Sequence, residues 1–226
     1  MSGKAEPLYH VAEWVLRPVV VPWFRWHFEG MEHIPANGPL LVAANHISYF
    51  DPLVVALAVD NAGRRPRFLA KSELFDSPVL RSVLEGTRQI KVERGSGSSA
   101  PVDEALAALR DDQVVVVYPE ATITKNPDFS PMQGKTGIAR LALASEVPVM
   151  PFAVWGTQPV WQRGGRRNLK YGRPIWGKAS APLDLSEFSD RRDDPATLRK
   201  VTDRIMEEIA GLVADLRARY PKAWLP

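Results

Sequence analysis

The chain has 226 residues, 45% of them hydrophobic, a net charge of +3 and no cysteine. That length suits one sizeable α/β domain, and the missing cysteines exclude a disulfide framework, a thiolate nucleophile and a zinc–thiolate centre together, which fits a cytoplasmic setting. The charge is small but uneven: Arg163, Arg166, Arg167, Lys170 and Arg173 form a run without an acid, suited either to phosphates or to a solvated loop.

From the N-terminus, the first elements are aromatic and apolar, with Trp14, Trp23, Phe24, Trp26 and Phe28 punctuated by Arg17, Arg25, His10 and His27. Aromatic bodies with polar tips, and basic stems able to snorkel, suit the headgroup layer of a bilayer, so residues 1–28 read as a monotopic anchor. The alternative is a helix packed on the core. Pro18 and Pro22 divide the segment into short helical pieces. A spanning helix needs about 20 consecutive apolar residues, and Arg17 and Arg25 leave only seven uncharged residues between them. No secretory signal pattern is present. The expectation is a peripheral protein on the cytoplasmic face of a membrane, without a transmembrane span.

Beyond this segment, residues 29–226 read as one domain. Short β-rich runs begin at Pro39 (PLLVAA), Arg67 (RFLAK), Gln89 (QIKVE), Val114 (VVVVYP), Val147 (VPVMPFAVWG) and Leu169 (LKYGRPIW). Near-continuous apolar runs suit strands covered on both faces. Helical patterns alternate with them: PVDEALAALR, GIARLALASE, and a long amphipathic helix behind Asp194 and Pro195. The pattern predicts an α/β fold with a mixed, mostly parallel central sheet flanked by helices, preceded by the aromatic-rich interfacial helical segment. Two long irregular stretches, VERGSGSSAP and EATITKNPDFSPMQGKTG, each follow a strand, where ligand crevices form in such sheets.

The chemistry-bearing stretch is AANHISYFDP. Asp51 before Pro52 is a helix-start signature, with Asp at the N-cap and Pro at N1. His46 then lies in the preceding loop, which can fold back and bring imidazole and carboxylate together. A carboxylate on one ring nitrogen fixes the tautomer and leaves the other nitrogen as a general base. No serine or cysteine carries a nucleophile pattern, so the nucleophile would be a substrate hydroxyl. A plain cap and a plain loop histidine is the alternative reading. No further histidine completes a metal site.

These residues resemble the glycerolipid acyltransferase family that includes the 1-acylglycerol-3-phosphate acyltransferases. Its Asn-His-four residues-Asp signature corresponds to Asn45, His46 and Asp51. QIKVERGSG is similar to the second block, with Arg94 at its basic position; VVVVYPEATIT is similar to the third, usually Phe-Pro-Glu-Gly-Thr-Arg; VPVMPFAVWGT is similar to the fourth, and GKTGIARLAL also matches. Four blocks in family order are specific where one would not be, and they cover roughly residues 29–174.

The resemblance implies transfer of an acyl group from a thioester, acyl-CoA or acyl carrier protein as co-substrate, to a hydroxyl of a glycerol phosphate lipid at a membrane surface. No metal or cofactor is required, and a lysophospholipid such as 1-acylglycerol-3-phosphate is the default acceptor. A glycolipid or glycerol 3-phosphate acceptor, or a catalytically silent lipid-surface module, is the alternative.

The third block departs from the family: Glu120 and Thr122 are kept, Ala121 replaces the glycine, and Ile123 stands where arginine is usual. Lys125, Lys135 or Arg94 offer a replacement cation. Arg94 before a glycine-serine run, and Lys71 just past a strand, are phosphate-contact candidates. Glu120 needs either a cation, Arg94 or Lys135, or an acceptor hydroxyl. Lys135, Thr136 and Gly137 lead into a helix whose amides can hold an anion. Pro148 and Pro151 are expected at a strand end or edge. The candidate site is therefore catalytic His46 and Asp51, with Asn45, Lys71, Arg94, Glu120, Ala121, Thr122, Lys135, Thr136 and Gly137 on the substrate side. The basic run carries no recognition motif, so nucleic acid is not an expected partner.

Overall fold

A computed structural model describes residues 17–93 and 100–224. Its seven strands are β1 (Arg25–Glu29), β2 (Leu40–Ala44), β3 (Pro66–Lys71), β4 (Ile90–Val92), β5 (Val114–Val117), β6 (Val149–Trp155) and β7 (Pro174–Ala179). They lie in the order β1-β7-β6-β2-β5-β3-β4. Every pairing is parallel except β6 with β7. The sheet is therefore mixed and mostly parallel, as the alternating pattern predicts. The helices are α1 (Asp51–Asn61), α2 (Pro78–Gly86), α3 (Ala100–Arg110), α4 (Gly137–Ser145) and α5 (Pro195–Arg219).

The central strands are apolar at every position because both faces are covered. Leu41, Ala43, Val115 and Val117 pack beneath α3, α4 and α5, through residues such as Leu109, Ile138, Val201 and Ile205. Leu40, Val42, Val114 and Val116 pack against Val54, Val55, Ala58 and Val59 of α1. Alternation along β2 and β5 thus serves two separate cores. The long helix α5 starts where expected, with the Asp194 side chain accepting from Thr197 N.

Three expectations change. Residues 17–23 are helical, but Arg25–Glu29 is an edge strand paired with β7, so the expected boundary after residue 28 runs through the sheet. Its exposed and half-buried alternation, with Trp26 and Phe28 stacked 6.0 Å apart, is what an interfacial segment also looks like in sequence. Residues 1–16 of that segment lie outside the described residues. Leu169–Gly172 precedes the strand, which begins only at Pro174. Pro151 sits inside β6, opposite Ala43 of β2, rather than at an end or edge. Its carbonyl accepts from Ser180 N, next to the first β6–β7 pair, Phe152 with Ala179. Among the described residues no helix is long and apolar enough to cross a membrane.

Two joints close the β7 side. Glu29 receives Arg219 Nη1 and Nη2 at 2.7 and 2.9 Å, and Lys178 Nζ lies 3.4 Å away. The Arg219 guanidinium holds the Glu29 carboxyl down at about 2. Because the folded value is depressed, this stabilisation is present above the ordinary value near 4.5 and is lost as pH falls toward about 2. At the second joint, Gly156 turns the chain out of β6 at φ +91°, and a Cβ there would stand 2.5 Å from Pro174 O. Only glycine satisfies both the torsion and the approach.

Glu29→Gln is expected to lower unfolding stability at neutral pH by about 1 kcal/mol or less, as for other partly exposed pairs, and to make a much smaller difference at pH 2, where the carboxyl is largely losing its charge; urea denaturation at both pH values measures this. Gly156→Ala is expected to lower stability by about 2 kcal/mol or more, read as a fall in melting temperature.

Candidate active site

Strands β6, β2, β5, β3 and β4 run parallel, so their carboxyl ends share one edge of the sheet, where loops converge. The loop after β2 carries His46. Helix α1 starts at Asp51, with Phe50 as N-cap and Pro52 following. Asp51 is therefore the first helical residue rather than the cap, and its carboxylate turns back onto the loop. Oδ2 accepts from His46 Nδ1 at 2.9 Å, Ile47 N at 2.6 Å and Ser48 N at 2.8 Å. Oδ1 accepts from Thr157 Oγ1 at 2.6 Å. Asp51 is fully buried, so these four donors replace its hydration. An ionised carboxylate only accepts, so the shared proton sits on His46 Nδ1; in the neutral imidazole this leaves the lone pair on Nε2.

His46 is also fixed through its backbone. Its N–H donates to Glu120 Oε1 at 2.9 Å, and its carbonyl accepts from Thr124 N at 2.8 Å. The other Glu120 oxygen accepts from Met132 N at 2.9 Å. Among the described residues Glu120 is thus satisfied by two backbone amides rather than by Lys135, and it binds the loop after β2 to the loop after β5. Burial pushes its carboxyl up, against the lowering effect of those amides. The Tyr118 ring stacks on His46 with centroids 4.3 Å apart. The Tyr118 hydroxyl is buried without a hydrogen-bond partner among the described residues, and burial, then the charge of Asp51, drives its pKa well above the ordinary value.

Asn45 does not face substrate. It is fully buried, its Nδ2 donates to Val154 O and its Oδ1 accepts from Val154 N. The side chain thereby continues the β2–β6 ladder for one more residue and launches His46 from a fixed point. Ala121 sits at φ +58°, the left-handed region that favours glycine, the residue the family resemblance leads one to expect there.

The histidine opens onto a cleft of about 930 Å³. Its walls are mostly apolar, with Leu53 and Leu57 of α1 on one side and Val102, Ile138 and Leu141 of α3 and α4 on another. Lys71, Ala121, Thr122, Lys135 and Gly137 line it, together with Ile123, which is itself buried. Lys71 Nζ is paired with Glu73 Oε1 at 2.5 Å. Thr136 is the N-cap of α4 and makes no side-chain cap bond. Lys125 is exposed and lies outside the lining, and Arg94 lies outside the described residues.

Residues 25–155 match the family model described as Acyltransferase. The chain belongs to the acyltransferase family. This acyltransferase-family chain is 24% identical over 158 residues to the 1-acyl-sn-glycerol-3-phosphate acyltransferase of Bacillus subtilis, covering 69% of the chain and 76% of that protein. It is 26% identical over 166 residues to an uncharacterized protein of Mycobacterium tuberculosis, covering 67% of the chain but 44% of that protein. The family chain therefore spans less than half the length of this mycobacterial relative. The crystal structure of the 1-acyl-sn-glycerophosphate (LPA) acyltransferase PlsC from Thermotoga maritima shares the fold, with a TM-score of 0.69 at 24% identity, over 95% of this chain and 81% of that one.

Sequence reasoning missed Thr157, Tyr118 and Arg163 as members of the site. Thr157 closes the fourth block, yet it stands 106 residues from Asp51, and only the β2–β6 pairing brings the two together. Thr157→Val leaves Asp51 Oδ1 without its donor and is expected to destabilise the fold by about 1–3 kcal/mol and to lower turnover. Thr157→Ser, which keeps the hydroxyl, is expected to restore both in urea denaturation and initial-rate assays.

Proposed function

We propose that the protein transfers an acyl group from a thioester, acyl-CoA or acyl carrier protein, to the free hydroxyl of a lysophospholipid of the 1-acylglycerol-3-phosphate class. The observation that carries this reading is the His46–Asp51 pair, with Nδ1 turned to the carboxylate, at the wall of an apolar cleft of about 930 Å³ that Lys71, Lys135 and Arg163 also line. The cleft is large enough for an acyl chain, and the cations suit a phosphate headgroup.

In this mechanism His46 Nε2 takes the proton of the acceptor hydroxyl as its oxygen bonds to the thioester carbonyl carbon. The Asp51 carboxylate stabilises the imidazolium that results. Collapse of the tetrahedral intermediate breaks the carbon–sulfur bond, and the imidazolium returns the proton to the departing thiolate. The products are the ester and the free thiol. No metal or cofactor enters these steps, because base, orienting acid and nucleophile come from the chain and the acceptor. Lys135, with the first-turn amides of α4, is the phosphate contact this reading favours.

A second reading is favoured by Ile123, which puts a buried apolar side chain on the cleft wall where related sequences carry arginine. It assigns an acceptor whose headgroup lacks a phosphate, such as a glycolipid. Purified protein is offered mixed acyl-CoAs with 1-acylglycerol-3-phosphate, glycerol 3-phosphate and a glycolipid in competition, and the product is read by mass spectrometry. The expected product is the diacylglycerol phosphate; glycolipid acylation selects the second reading. His46→Ala is expected to lower turnover about 10³-fold or more and to lower the melting temperature as Thr157→Val does, because buried Asp51 loses a donor; a folded His46→Ala variant with near-native turnover contradicts the mechanism.

A further inference from the structure

Of the large apolar side chains that remain exposed among the described residues, Tyr49, Leu74, Leu80 and Trp161 line the cleft. On one lip stands α2, a nine-residue helix with no buried residue. Leu80 and Leu84, four apart, line the cleft, while Val79 and Val83, also four apart, lie beside them outside it, 74% and 40% exposed. The apolar stripe thus continues from the cleft onto the outer surface, where no element among the described residues covers it. A helix that leaves such a stripe in water raises the free energy of the free protein, by about 25 cal/mol for each Å² exposed.

The opposite lip is aromatic and basic. The Tyr49 and Trp161 rings lie 5.6 Å apart and both residues line the cleft. Arg167 stacks over Trp161 at 4.2 Å. The same loop continues to Tyr171, 68% exposed, whose ring meets Trp23 of the N-terminal helical turn edge-on at 5.5 Å. Between residues 161 and 173 there are five cations and no acid. Tryptophan and tyrosine with basic stems are the side chains that settle at headgroup depth.

We infer that these two lips together are a docking surface for an anionic bilayer, with α2 lying in the interface and the loop over residues 161–173 on the headgroups, so that the cleft opens into the lipid layer. The charge of the loop selects the occupant: a neutral apolar partner gains nothing from an acid-free basic run, whereas anionic headgroups do. The inference deepens the acyl-transfer reading, because a lipid acceptor would then reach His46 without crossing water. Its evidence, however, is the lips and not the histidine.

The test uses the full chain, with vesicles of phosphatidylcholine alone or mixed with phosphatidylglycerol. Val79→Asp with Val83→Asp is expected to lower partition onto both kinds of vesicle at least tenfold. The rate on a vesicle-embedded acceptor falls in parallel, while the rate with a short-chain soluble thioester and a dissolved acceptor, and the melting temperature, stay unchanged. Arg166→Ala is expected to weaken partition about fivefold on the anionic vesicles only. Unchanged partition in the valine variant overturns the proposal. So does a second copy of the chain as the true occupant, seen as concentration-dependent self-association that the valine variant abolishes while partition stays the same. If partition responds as expected but no acceptor is acylated, docking stands and the acyl-transfer reading fails.

Discussion

A carboxylate without solvent contact must find donors for both its oxygens, and the way Asp51 finds them organises the active edge of this protein. Three donors come from its own loop, at His46, Ile47 and Ser48, and the fourth from Thr157 beyond β6. An unpaired buried charge is far costlier than any single contact around it. The loop after β2 therefore has one low-energy path, the one that turns two successive amides and an imidazole toward the first residue of α1. The histidine is oriented by a constraint the fold has to meet anyway, so stability and chemistry rest on the same four hydrogen bonds.

Glu120 applies the same device to the neighbouring loop. Its two oxygens take the amides of His46 and Met132, so the chain after β5 is fastened to the chain after β2 through one side chain. Two buried acids so close oppose each other electrostatically, and the charge of Asp51 adds to the burial that raises the Glu120 carboxyl. The opposition is tolerated because each acid is met by backbone amides that cannot move away. What results is a rigid frame around His46, with the adaptable part of the site left to the cleft walls.

The frame was only partly legible in the sequence. The apolar runs at β2, β5 and β6 and the period of α5 are strong local signals, and Asp51 before Pro52 marked the start of α1 to within one residue. Contacts that depend on which strands become neighbours left no local trace. Asn45 reads as a polar residue beside a histidine, and its role as a side-chain extension of the sheet appears only once β2 lies beside β6. Edge strand β1 misled for the opposite reason. A half-exposed aromatic strand and an interfacial helix use the same residues, and periodicity over Arg25–Glu29 is too short to separate them. Helix α2 escaped notice because nothing in the core requires it: its apolar side chains face the cleft and the solvent.

The cleft reaches both faces of the sheet, and this follows from the composition of α1. An ordinary surface helix keeps one apolar stripe, whereas α1 is apolar nearly all round, with Val54, Val55, Ala58 and Val59 in the core and Leu53, Ala56 and Leu57 on the cleft. Among the described residues no further strand closes the sheet beyond the short edge strand β4, and the space there is bounded by Val92, Val102 and Leu141. His46 and Tyr118, stacked at the end of β5, lie where the two walls meet. A ligand that runs past the histidine is thus bordered by α1 on one flank and by α3 and α4 on the other. Substitutions on these two flanks should act on different parts of it, which a comparison of Leu57 with Leu141 variants across ligands of different chain length can separate.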